Sequence, residues 1–371
     1  MGLMIMINHW LLFFAFPLAV VSTEPSQKNM LSEKWAANQG FSGIVTFAHL
    51  PHKSCLATEG LDFDVAIIAP YLTFGPRAVR DASMRLSAGG GYNIRASHNP
   101  LASWANLIDC GDIPVTPYDN ALAMRQLKEA FVELGRRPAT RSLARGSGSS
   151  PIGISHGTSK PIIVTIGGDH SISLPVLRAL KEVHSTPVSV LHFDAHMDTW
   201  APDTDSYWAT EQSRFNHGSR SSLHVGLRSR LCGNDEADYK TDDEQGFMRI
   251  SSDDIDEIGA KGIISKINAW IGPSKPVYLS VDIDVLDPAQ APGTGTPEVG
   301  GWTSRELIQI LRGVEGLNVV GADIVEVSPP YDSAGQVTAL AASHILYEIL
   351  TSVSKRGSVQ TKKAESGKHE L

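Results

Sequence analysis

Four stretches of the chain concentrate the residues that could do chemistry. "PIIVTIGGDHS" closes on Asp169 and His170, "SVLHFDAHMD" on Asp194, His196 and Asp198, "VYLSVDIDVLDP" carries Asp282 and Asp284, and "VVGADIVEVSPP" carries Glu326. Each group ends a run of β-branched and aromatic residues, the composition of a buried strand, where an uncompensated carboxylate is costly. Period-two alternation predicts that Asp194, His196 and Asp198 point to one side of an extended segment, as do Asp282 and Asp284. Counting His170, four aspartates and two histidines are candidates for one cluster. Carboxylates so gathered repel one another and take up protons unless a counter-charge intervenes. Six oxygen and nitrogen donors without a thiolate exceed the needs of one tetrahedral zinc. They suit a pair of octahedral-leaning cations such as Mn2+ that share bridging carboxylates, although ligand type alone also admits Zn2+, Fe2+ or Co2+.

The elements that must position these residues follow from hydrophobic patterning. Apolar β-rich runs at 63–69, 161–166, 188–193, 277–283 and 319–327 predict strands, and helical periodicity marks 120–134, 174–184, 253–270, 304–314 and 337–350. Strands alternating with helices imply parallel pairing through right-handed crossovers and a sheet covered on both faces. The C-terminal strand ends, and with them the acidic residues, then share one edge. The expected domain runs from 23 to 353, with a Gly/Ser-rich surface loop at 144–160 and a polar, Lys-rich tail at 354–371 expected to be disordered.

A net charge of -8 over 371 residues and a pI near 5.9 argue against nucleic acid or an anionic membrane as partner and favour a small cationic molecule. Residues 1–22 resemble a signal peptide, with an apolar stretch at 10–21 too short to span a bilayer comfortably. The chain ends in Lys368-His369-Glu370-Leu371, close to an endoplasmic-reticulum retention address. Both ends point to the secretory pathway, in the lumen or outside the cell, with no membrane attachment of the mature form. Of Cys55, Cys110 and Cys232, one pair at most can bond, and sequence does not say which.

Taken in order, "GGDHS", "DAHMD" and "SVDIDVLDPAQAPGTGTPEVGG" resemble the three signature blocks of the ureohydrolase (arginase/agmatinase) family, and "GPRAVR", "DCGDIPV" and "DIVEVSPPYD" extend the likeness to its agmatinase branch. The resemblance implies a three-layer α/β/α fold with a mostly parallel central sheet, arginase-like, and hydrolysis of a guanidino group at two Mn2+ per chain. It makes His170 and Asp198 ligands of one metal, His196 and Asp284 ligands of the other, and Asp194 and Asp282 bridges between them. Asp198 would also orient a hydroxide, His217 would protonate the departing amine, and Glu326 would pair with the substrate guanidinium. It further implies a homo-oligomer, trimer or hexamer. Agmatine is the expected substrate, with guanidinobutyrate or arginine as alternatives. A metal-binding family member without turnover is the competing reading, because the segment after His217 is short. Asp169 is expected to orient the neighbouring histidine, and Met197 to point away from the ligands.

Overall fold

The computed structural model describes residues 44–70, 73–140, 160–199, 221–232 and 234–366, with side chains to 357. Eight strands form one sheet: β1 (Val65–Pro70), β2 (Leu107–Ile113), β3 (Ile162–Ile166), β4 (Ser189–Phe193), β5 (Ser222–Leu227), β6 (Phe247–Ser251), β7 (Pro276–Asp282) and β8 (Asn318–Val325). Their order is β2-β1-β3-β8-β7-β4-β5-β6, and every pairing is parallel. The helices are α1 (Gly75–Ala82), α2 (Asn120–Gly135), α3 (Ser173–His184), α4 (Ala237–Gln245), α5 (Asp254–Ile271), α6 (Ser304–Gly313) and α7 (Val337–Ser366).

Alternate strand residues feed two cores. Val65, Ile67, Val164, Ile166, Leu191 and Phe193 face one side with Ile263, Ile267, Leu307, Ile310 and Ile345 of α5, α6 and α7. Ala66, Ile68, Ile163, Val190 and Tyr278 face the other with Leu127, Phe131, Val176 and Leu180 of α2 and α3. That is the three-layer α/β/α arrangement. Local signals start the helices as expected: Asp119 accepts from Leu122 N at α2, and Thr303 with Glu306 forms a capping box at α6.

All five expected strands are present, but β2, β5 and β6 are additional. Their sequences are punctuated by Asp109, Gly111 and Asp112, by His224 and Gly226, and by Arg249. All three lie toward the sheet's margins, where an unbroken apolar run is not required. Their charges are matched from afar; buried Asp109, for example, takes Arg80 Nε at 2.9 Å and Nη2 at 3.0 Å.

The tail also departs from expectation, because α7 continues helically through 354–366. Its start is tied down: Trp104 Nε1 donates to the Ser354 carbonyl (2.6 Å) and Lys355 pairs with Glu315 (2.6 Å). Trp104 also occupies the space a side chain at Gly357 would need. Cys55 is disulfide-bonded to Cys110, joining the segment before β1 to β2, and Cys232 is exposed. Residues 1–43, the loop at 144–159, His217 and the last five residues lie outside the described residues.

Candidate metal centre and substrate site

Four adjacent strands, β3-β8-β7-β4, deliver the candidate residues to one edge of the sheet. β3 runs into Gly167–Gly168 and a short 3-10 turn that begins at His170. β4 ends at Phe193, one residue before Asp194, β7 ends on Asp282, and Glu326 follows β8. Six predicted ligands come together there. His170 Nδ1 lies 3.2 Å from Asp194 Oδ2, 3.4 Å from Asp198 Oδ2 and 3.1 Å from Asp282 Oδ2. His196 Nδ1 lies 3.3 Å from Asp194 Oδ1 and 3.0 Å from Asp284 Oδ2. Asp194 therefore faces both histidines, with a different oxygen toward each.

The convergence does not come from extended alternation. Both doublets lie in turns: Asp282 Oδ1 accepts from Asp284 N (2.9 Å), Asp194 Oδ1 accepts from His196 N, and Asp198 has a left-handed backbone with φ 55°. Such carboxylate-to-backbone bonds are the habit of aspartate in turns. Gly226, at φ 102°, lets the end of β5 pass close to the Asp194 carbonyl, where a Cβ would stand 3.3 Å away.

Asp169 does not orient the histidine ring. It is exposed and caps its own turn, accepting from Ser171 N at 3.1 Å. Orientation comes instead from Ser280 and Asp323, which sequence reading passes over. The Ser280 hydroxyl donates to Asp323 Oδ1 (2.7 Å), so its lone pair is left for His170 Nε2 at 2.9 Å, and Nδ1 is turned to the carboxylates. A serine and an aspartate inside the apolar runs of β7 and β8 were the available signal. Buried Met197 stays out of the cluster. Sequence reading also passes over His192 and His224, buried on β4 and β5.

Electrostatics show what the cluster lacks. Burial pushes the His170 ring down, but Asp194 and Asp282 hold it well above the ordinary imidazole range. His196 is likewise opposed by burial and raised to about 11 by Asp194 and Asp284. Burial, reinforced by neighbouring carboxylates, lifts Asp282 well above the usual range and Asp198 to about 6. Shifts in these directions are what carboxylates and imidazoles crowded without a counter-charge produce. Asp194 Oδ2 and Asp284 Oδ2 are buried, and among the described residues neither receives an aligned hydrogen bond. Each instead faces an imidazole nitrogen near 3 Å, as donors turned toward a shared point would. The residues present fit divalent cations, with Asp194, His196 and Asp284 forming one compact triad.

Glu326 stands at the rim of this cluster in a left-handed conformation, φ 59°, with Oε1 accepting from His170 N at 2.7 Å. Burial raises its carboxyl to about 7 against the lowering pull of His170. Glu298, half-exposed, brings Oε1 to 3.8 Å from His196 Nε2.

An all-parallel three-layer sheet with an imidazole–carboxylate cage on its C-terminal edge defines a class of α/β protein suited to holding paired divalent cations. The chain belongs to the arginase family, whose model matches residues 60–351. It is 43% identical over 343 residues to the Schizosaccharomyces pombe protein named "Putative agmatinase 1", covering 86% of this chain and 84% of that one. It is 34% identical over 336 residues to the human mitochondrial guanidino acid hydrolase, covering 84% of each. Among solved structures, proclavaminate amidino hydrolase from Streptomyces clavuligerus superposes with a TM-score of 0.69 at 30% identity, over 86% of this chain and all of that one.

Proposed function

We propose that this arginase-family hydrolase cleaves agmatine to urea and putrescine at a pair of Mn2+ ions held by His170, Asp194, His196, Asp198, Asp282 and Asp284. The observation that carries the reading is Glu326, a half-buried carboxylate fixed by the backbone of one candidate ligand at the mouth of the cluster. A carboxylate so placed can pair with a guanidinium through two parallel hydrogen bonds and set its carbon over the cluster. Bound divalent cations would supply Lewis-acid chemistry there, making hydroxide available near neutral pH. Asp198 would accept a hydrogen bond from that nucleophile and orient it. An amine leaving group needs a proton, a role proposed for His217.

The rim favours a substrate with a cationic far end over one with a carboxylate. Among the described residues, Arg228 is a basic side chain against this edge, and it is engaged by the carbonyls of Gly226, Asp284, Val285, Leu286 and Glu298. Among the described residues, Glu298 and Asp169 add acidic groups to the rim. Urea release from agmatine, arginine and guanidinobutyrate, measured on Mn2+-restored protein, tests the assignment. Faster turnover of guanidinobutyrate would replace agmatine with a guanidino acid.

The Cys55–Cys110 disulfide supports maturation in an oxidising compartment, in line with the proposed signal peptide and secretory localisation. A trimer or hexamer is the proposed assembly.

A further inference from the structure

On the side of the cluster away from Glu326 lies a line of buried polar groups that the proposed reaction does not use. His192 and His224 are direct cross-strand neighbours on β4 and β5, both fully buried, and their Nδ1 atoms are 2.7 Å apart. His192 turns its Nε2 to within 2.9 Å of Asp194 Oδ2. Beyond His224, whose ring stacks on Phe247 at 4.1 Å, Nε2 meets Asp242 Oδ1 at 3.0 Å. Asp242, on α4, is fully buried and paired through Oδ2 with Arg249 Nη1.

Asp242 holds a second line. Its Oδ1 also accepts from Thr199 Oγ1 at 3.0 Å, and Gln245 Nε2, from the same helix, donates to the Thr199 carbonyl at 3.1 Å. Thr199 directly follows Asp198, the candidate ligand with the left-handed backbone. One carboxylate thus stands behind two candidate ligands by separate routes: Asp194 across two histidine rings, the last of them in contact with Asp194 Oδ2 at 2.9 Å, and Asp198 through its chain neighbour.

We propose that Asp242 and His224 are positioning residues for the metal centre, holding Asp194 through His192 and Asp198 through Thr199. Apolar side chains would fill these positions in a marginal strand at lower desolvation cost, so stability alone does not account for two buried imidazoles and a buried carboxylate in series. Oriented partners behind metal ligands are worth about 10–100-fold in metal affinity. The proposal rests on the metal-site reading above.

The test titrates Mn2+ calorimetrically into chelator-stripped full-length wild type, Thr199→Val, His224→Leu and His224→Gln. It also measures the thermal midpoint of each stripped form, and kcat and KM for agmatine. His224→Leu and Thr199→Val should each weaken Mn2+ binding about 10–100-fold and lower kcat while KM holds. His224→Gln, which keeps a hydrogen-bonding group toward His192, should recover most of the affinity. Unchanged Mn2+ affinity in both His224→Leu and Thr199→Val, even with a lowered thermal midpoint, would make the line merely structural. A glutamine variant no better than leucine would remove the hydrogen-bonding role of His224. Wild type that takes up no Mn2+ overturns the metal reading itself, whereas uptake with indifferent variants overturns only the positioning.

Discussion

Substituting Asp198 by asparagine should stabilise the metal-free protein. In the cation-free cluster, burial together with Asp194 and Asp284 raises the Asp198 carboxyl from 3.8 to about 6, against the opposing pull of His170 and His196. An acid whose folded value is raised still binds its proton in the folded state at pH values where the unfolded chain has released it. Stability therefore falls as pH climbs from about 4 to about 6, with the full penalty present above that window. A displacement from 3.8 to about 6 amounts to on the order of 3 kcal/mol at neutral pH. Asparagine resembles the protonated carboxyl and is at ease at φ 55°, so it removes the penalty without moving the backbone. Urea denaturation of stripped wild type and Asp198→Asn, followed by tryptophan fluorescence, should show the variant more stable by about 3 kcal/mol near pH 7.5 and the two forms converging near pH 4. Added Mn2+ should reverse the order, because the variant loses a ligand. A gap that stays constant with pH, or a stripped variant less stable than wild type at pH 7.5, would refute the idea that crowded carboxylates await a cation.

Three further outcomes are expected. Mn2+ uptake at neutral pH should release protons, on the order of two or more per chain, read with an indicator dye, because the raised His170, His196 and Asp282 favour bound protons that ligation displaces; uptake without proton release would contradict this. Glu326→Gln should raise KM for agmatine, with a loss in kcat/KM of roughly 1.5–3 kcal/mol and the metal count intact; an unchanged KM would remove Glu326 from the substrate site. Replacing Cys55 and Cys110 by serine opens a cross-link spanning 55 residues and should cost about 4 kcal/mol in denaturant unfolding by the chain-entropy relation, with no cost if the thiols are reduced in the native protein.

Legibility in the sequence followed burial. β3, β4, β7 and β8 are sheathed on both faces, so they read as unbroken apolar runs and their acidic ends stand out. β2, β5 and β6 escaped because Asp109, His224 and Arg249 interrupt them, and the groups that satisfy these residues, Arg80, His192 and Asp242, are supplied by packing that sequence spacing does not display. Asp169 shows the same limit of sequence spacing. Adjacency to His170 suggested an orienting carboxylate, yet the one that serves is Asp323, reached through Ser280 from another strand. Extended alternation picks out the ligand doublets in the sequence, although turns closed by their own carboxylates bring them together.

The central claim is that the six histidine and aspartate side chains hold two cations on which urea release depends. Manganese bound per chain, measured by mass spectrometry after stripping and equilibrium reloading of wild type and Asp194→Asn, with urea release from agmatine followed on the same samples, tests it most directly. Two Mn2+ per wild-type chain are expected, with urea formed in proportion to loading. The Asp194→Asn variant should fall below one ion per chain and lose activity. Undiminished urea release from stripped wild type, or full Mn2+ retention by the variant, would contradict the account.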